Sequence, residues 1–168
     1  HTGTLSSGMG SDTATSSGWR LAMKVGRMPT ASPVRSTAAT LAALQRRCHA
    51  LPQPDAVFEW SLKWLERHLP TEPARLHLVH GDYRLGNVIV GEEGLRAVLD
   101  WEIAHLGDPA EDLAWVCLPP WRFGQITQPV AGLGQRNELF AAWQQATGEA
   151  VDPQRVRWWQ AACCMRKA

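Results

Sequence analysis

His80-Gly81-Asp82-Tyr83-Arg84-Leu85-Gly86-Asn87, followed by Val98-Leu99-Asp100-Trp101-Glu102, is the stretch that decides the fold. Arg75 to Val79, with Leu76 and Leu78 alternating, predicts a short strand ahead of it. Asn87-Val88-Ile89-Val90 and Leu95 to Leu99 predict two strands joined at Gly91-Glu92-Glu93-Gly94, a hairpin turn. A carboxylate, Asp82, and a carboxamide, Asn87, therefore share a tight loop between strands. A second carboxylate, Asp100, ends the hairpin, and folding the hairpin back brings it near that loop. Two carboxylates and an amide oxygen are hard ligands suited to Mg²⁺. A divalent ion and a free carboxylate are the minimum equipment for phosphoryl transfer: one neutralises phosphate charge, the other orients a hydroxyl and takes its proton. Any one of the three residues alone reads as a turn residue bonding to its own backbone. Turns do not account for all three at these spacings.

The D-x4-N loop, the hairpin and the second Asp resemble the catalytic core of kinase-like phosphotransferases, where protein kinases write H-R-D-x-x-x-x-N and D-F-G. The forms H-G-D-Y-R-L-G-N and V-L-D-W-E are similar to the aminoglycoside phosphotransferase and choline kinase branch. Gly107-Asp108-Pro109-Ala110-Glu111-Asp112-Leu113-Ala114-Trp115 adds to the match. This wording resembles a bacterial subgroup akin to the phosphotransferase domain associated with acyl-CoA dehydrogenases. The resemblance is strong over residues 56–145, extends from residue 36, and is not found in residues 1–35.

The resemblance implies a role for each residue. Asp82 matches the base that accepts a proton from the substrate hydroxyl. Asn87 and Asp100 match the Mg²⁺ ligands through which the nucleotide is held. Arg84 stands where protein kinases place a phosphate-contacting Lys, and its guanidinium suits phosphate; a solvent-exposed Arg is the other reading. His80 is expected to prop the loop rather than act as acid or base. Gly81 and Gly86 relieve crowding. Asp112 matches a buried aspartate that braces the loop through backbone hydrogen bonds. Glu102 replaces the Gly of D-F-G and is a candidate to hold the metal's water or the substrate. The implied donor is ATP or GTP and the acceptor a small molecule with a hydroxyl group.

Outward from this centre the pattern is helical. A helix is predicted from Ser36, with Leu41, Leu44 and Cys48 on one face, ending before Pro52. Asp55 caps a second, to Leu69, in which Val57, Phe58, Ser61, Leu62, Leu65 and Leu69 keep a 3.6-residue period. Trp60 and Trp64 form a second stripe, which predicts a wide buried face. Pro109 opens a helix through Cys117. Residues 121–135 read as a loop. Asn137 is a candidate cap for a helix over residues 138–147, closed by Gly148. Asp152-Pro153 opens a last helix with Val156, Trp159 and Cys163 on one face. The expected class is α+β: a kinase-like C-terminal lobe over residues 36–168, mostly helical, with a short hairpin and without an N-terminal lobe.

Composition sets the outer limits. The 168 residues carry a net charge of +1, against a generally basic nucleic-acid binder. No apolar run is long enough for a membrane span. Cys48, Cys117, Cys163 and Cys164 show no C-x-x-C spacing, which points to reduced thiols and a cytoplasmic protein. Charge is unevenly spread: residues 1–54 hold six Lys/Arg and one acid, while residues 55–168 hold eleven bases and fifteen acids. Thirteen of the first eighteen residues are Ser, Thr or Gly, so residues 1–35 are expected to be disordered or irregular. That stretch offers no phosphate-covering loop and no Lys–Glu pair of a nucleotide lobe. The expectation is a truncated catalytic lobe, with an inactive remnant serving as a binding module as the alternative. A metal-dependent phosphohydrolase is a more distant third.

Overall fold

The computed structural model describes residues 34–53, 55–73 and 75–167. Helix α1 spans Thr37–His49, and the Ser36 hydroxyl caps it by accepting from Ala39 N at 3.0 Å. Helix α2 spans Ala56–Arg67, and Asp55 Oδ1 accepts from Val57 N at 2.8 Å and Phe58 N at 3.2 Å. Strand β1 (His77–Val79) leads into the loop of Asp82, which closes in a 3-10 turn at Leu85–Asn87. Strands β2 (Val88–Gly91) and β3 (Gly94–Val98) form the hairpin, with Val88 opposite Val98 and a bulge at Ile89/Val90. Strand β4 (His105–Gly107) pairs antiparallel with β1, and Val34 bridges Leu106 on its parallel side. Helix α3 (Ala110–Trp115) and a 3-10 turn at Pro119–Arg122 follow. Helices α4 (Arg136–Thr147) and α5 (Pro153–Lys167) complete the described chain.

The last helix organises the core. It packs against α3, α1 and α2, and buries Val156, Trp158, Trp159, Ala162 and Cys163 together with Leu41, Leu44, Leu62, Leu65, Ala114 and Trp115. Both of its tryptophans bury their indoles with the N–H satisfied: Trp158 Nε1 donates to Leu65 O at 2.9 Å and Trp159 Nε1 to Asp108 Oδ2 at 2.8 Å. Asp108, itself buried, also takes Arg155 Nη1 at 2.7 Å. The G-D-P segment thereby ties the start of α3 to α5.

Four expectations are corrected. Trp60 is 69% exposed while Trp64 of the same stripe is half-buried against the core, so the buried face of α2 is narrower than expected and centred on Leu62 and Leu65. Its first-turn Val57 also lies in solvent. Helix α4 starts before Asn137: Gln135 is its cap, and Glu138 closes a capping box from the third helical position. Helix α3 ends at Trp115, two residues short of Cys117. The pairing of β4 with β1 had no counterpart among the expected strands. The expectation for residues 1–35 falls, except for Val34 and Arg35, outside the described residues.

Candidate active site

The loop between β1 and the hairpin is pinned from three sides. Asp112, on α3, accepts from His80 N at 2.7 Å and from Gly81 N at 2.9 Å. Burial pushes the Asp112 carboxyl pKa up, against the opposing pull of those two N–H groups. The His80 ring, 2% exposed, spans from the loop to the hairpin's end: Nε2 meets Leu99 O at 2.7 Å, and Asp82 N donates to Nδ1 at 3.2 Å. Both contacts are met by a ring carrying its proton on Nε2. From α5, Arg166 Nη2 donates to Gly81 O at 2.8 Å. Gly81 has φ +84°, a conformation that L side chains rarely adopt.

Asp82 is the hub of the side-chain network. Its Oδ1 accepts from Trp115 Nε1 at 2.8 Å, and its Oδ2 from Asn87 Nδ2 at 2.9 Å. Arg84 Nε sits 3.1 and 3.3 Å from the two oxygens. Asn87 is buried, and its Nδ2 also donates to Asp82 O at 2.9 Å, which turns its carbonyl oxygen away from Asp82. The backbone ladder continues past β3, with Leu99 N donating to Asn87 O at 2.8 Å. Asp100 follows directly, at φ +65°, a left-handed position that Asp tolerates better than most residues. A cavity of about 100 Å³ is lined by Gly81, Asp82, Asp100, Glu102, Ile103, Trp115 and Arg166.

The sequence-predicted residues therefore fall into two groups. Asp82, Asp100 and Glu102 share the cavity, and Asn87 and Arg84 bond to Asp82. His80 and Asp112 lie behind the loop and hold its backbone. Arg84 also stacks its guanidinium 5.2 Å from the Trp121 ring centroid.

Trp115, Arg166, Glu111 and His105 were not singled out from the sequence as site residues. Glu111 is fully buried; its Oε2 meets His105 Nε2 at 3.1 Å and its Oε1 accepts from Arg166 Nη1 at 2.6 Å. Burial alone would raise its pKa, but the His105 hydrogen bond and the Arg166 charge outweigh it and hold the carboxyl below the usual range. A charged residue inside a short helix is the one signal that marked it.

Among the described residues, no group of three or more His, Cys, Asp or Glu side chains is placed to hold a metal. The donor chemistry still fits a hard cation that arrives with its ligand. Asn87 carries an oxygen that takes no hydrogen bond within the described residues, and Asp100 adds an exposed carboxylate. Two oxygens from the chain leave the other positions to phosphate and water, the usual arrangement for Mg²⁺ at nucleotide sites.

The comparisons with known proteins agree with this architecture. A family model described as the phosphotransferase enzyme family matches residues 20–159, beginning inside the N-terminal stretch where the sequence itself showed no resemblance. Acyl-CoA dehydrogenase family member 10 of Mus musculus is 51% identical over 59 residues, which cover 34% of this chain and 5% of that protein. The aminoglycoside-3'-phosphotransferase of type VIII superposes with a TM-score of 0.59 at 19% identity, over 77% of this chain and 51% of that one. A thermostable mutant of the aminoglycoside phosphotransferase APH(4)-Ia, in ternary complex with ADP and hygromycin B, gives 0.53 at 21% identity, over 75% and 41%. The chain thus matches a small part of its curated relative and about half of the solved structures. At these identities the structural likeness shows the fold.

Proposed function

The chain belongs to the phosphotransferase enzyme family, and from that premise we propose that it carries the catalytic loop of a small-molecule kinase, moving the γ-phosphoryl group of ATP or GTP to a hydroxyl. The observation that carries this reading is the shared cavity of Asp82 and Asp100, with Asn87 bonded to Asp82. The related fold crystallised with ADP and hygromycin B supports a nucleotide and a small molecule as the two ligands. A metal-dependent phosphohydrolase has no comparable support.

Asp82 acts as the base. Its carboxylate lines the cavity and orients the incoming hydroxyl, whose proton it accepts as the oxygen attacks in line. Trp115, Asn87 and Arg84 fix the direction of its lone pairs through the bonds described above. Asn87 and Asp100 would hold Mg²⁺, which supplies charge neutralisation to the nucleotide phosphates when bound. Arg84 uses only Nε on Asp82, so its terminal nitrogens remain for the transferred phosphoryl group. Glu102, on the same cavity wall, stands where it meets the acceptor or the metal's water.

Calorimetric titration with MgATP and MgGTP tests the nucleotide half of this proposal. The expected result is binding tighter than about 10⁻⁴ M, near −5 to −6 kcal/mol, which Asp100→Asn weakens by about tenfold or more. Binding unchanged by Asp100→Asn would remove that residue from the site.

A further inference from the structure

Three donors fix the Asp82 carboxylate, and they differ in where they come from. Arg84 and Asn87 belong to the same loop, two and five residues on, and move with it. Trp115 reaches in from α3, thirty-three positions away. We propose that Trp115 is a positioning residue for Asp82, and that Arg166, on the last helix, locks Trp115 and the loop in register. This inference rests on the assignment of Asp82 as the base.

The chemistry of the side chains supports it. Trp115 is 6% exposed and sits in the core, where Phe or Leu would supply the apolar contact. Only the indole adds an N–H, and that N–H is spent on Asp82 at 2.8 Å. The Arg166 guanidinium lies 4.4 Å from the centroid of the Trp115 ring, with its fork divided between Gly81 O and Glu111 Oε1. A guanidinium has the planar geometry to stack and to make two directed bonds at once; an ammonium does not. Gly81 is consequently held at both of its polar groups, with N–H on Asp112 of α3 and C=O on Arg166 of α5. Arg166 is itself anchored, because Arg47 Nη1 of α1 donates to its carbonyl at 2.8 Å. Two core helices, α3 and α5, thus converge on Gly81 and Asp82, and α1 anchors the second of them at the Arg166 carbonyl.

Solvent exchange of the tryptophan indole protons in the ¹⁵N-labelled full chain tests the lock without requiring turnover. The indole protons of Trp158 and Trp159, bonded to Leu65 O and Asp108, serve as controls for an intact core. The expected result is a protected Trp115 indole proton whose exchange speeds up by about tenfold or more in Asp82→Ala and in Arg166→Lys, with both controls unchanged. The Lys variant keeps a charge for Glu111 and so guards against simple unfolding. A Trp115 proton indifferent to both substitutions would overturn the lock.

Steady-state kinetics then test the positioning role. Trp115→Phe is expected to lower kcat by about tenfold or more, the scale on which misplacing a catalytic group is felt, with the nucleotide KM within about twofold of wild type. An unchanged kcat in Trp115→Phe beside an inactive Asp82→Asn overturns the positioning role and leaves the base in place. Full turnover by Asp82→Asn overturns the base instead, and the positioning role with it.

Discussion

Gly81 and Glu111 show how single residues set the site. An added Cβ at Gly81 would stand 3.1 Å from Ile103 Cδ1, on a backbone at φ +84°. Gly81→Ala is therefore expected to cost about 1–2 kcal/mol, from the left-handed strain alone, read as a lower urea midpoint. A midpoint equal to wild type would show that the loop relaxes freely. Glu111 gives a pH signature. Its folded pKa is depressed, so its contribution to stability is complete above its unfolded value and is lost as pH falls through the folded one. The stability gap between wild type and Glu111→Gln should be widest near neutrality and shrink as pH falls below the ordinary carboxylate range, measured by denaturation at a series of pH values. Asp112 works in the opposite sense: its pKa is raised by burial, so its ionisation costs stability as pH rises through that value. Asp82, Asn87 and Asp100 were legible as a set because their spacing is local, while Glu102 came only from the family resemblance. The roles proposed for Trp115 and Arg166 were not, because an indole N–H meeting a carboxylate across thirty-three positions leaves no trace in spacing.

At the scale of elements, α2 separates pattern from packing. Its sequence carries two apolar stripes: the one containing Leu62 and Leu65 is buried against α1 and α5, and in the other Trp64 packs half-buried on the core while Trp60 stands in solvent. Trp60→Ser should change stability by no more than about 0.5 kcal/mol, as for other surface substitutions. Leu65→Ala should cost about 2–5 kcal/mol through the cavity it leaves. Thermal or chemical melting checks both, and equal costs would contradict the exposed position of Trp60. A cap was readable where a short polar side chain precedes an apolar period, as at Asp55, whereas Ser36, read as the first helical residue, proves to be the cap of α1. The cap of α4 was misplaced because Asn137 has the stronger intrinsic preference, whereas Gln135 gains Glu138 as a reciprocal partner. The strand at His105–Gly107 went unseen for a different reason. Three residues carry no period, and only its pairing with β1 makes it a strand.

For the whole molecule, the last helix is the element on which core and site both depend. Its buried Cys163 reports on that packing. Burial raises the thiol pKa far beyond its ordinary value, and Cys117 is shifted upward from the same cause. In the native chain Cys164 and Cys48 should react first with a thiol reagent, and Cys163 and Cys117 only on unfolding. Cys163 reacting as fast as Cys164 would mean that α5 does not pack as described. Among the described residues no helix is long and apolar enough to cross a membrane. The helical class, the hairpin and the loop of Asp82 and Asn87 could be inferred from sequence because each rests on near neighbours. The brace of that loop by Asp112 of α3 came with the family resemblance, whereas the clamp from α5 could not be inferred, since it joins Gly81 to Arg166 across eighty-five positions. The most direct test of the central claim is transfer of labelled γ-phosphate from MgATP or MgGTP to a panel of hydroxyl-bearing small molecules, comparing wild type with Asp82→Asn. Transfer by the wild type and a loss of at least about a hundredfold in kcat for the variant are expected, as for removal of a general base. Transfer by Asp82→Asn at the wild-type rate would contradict that claim.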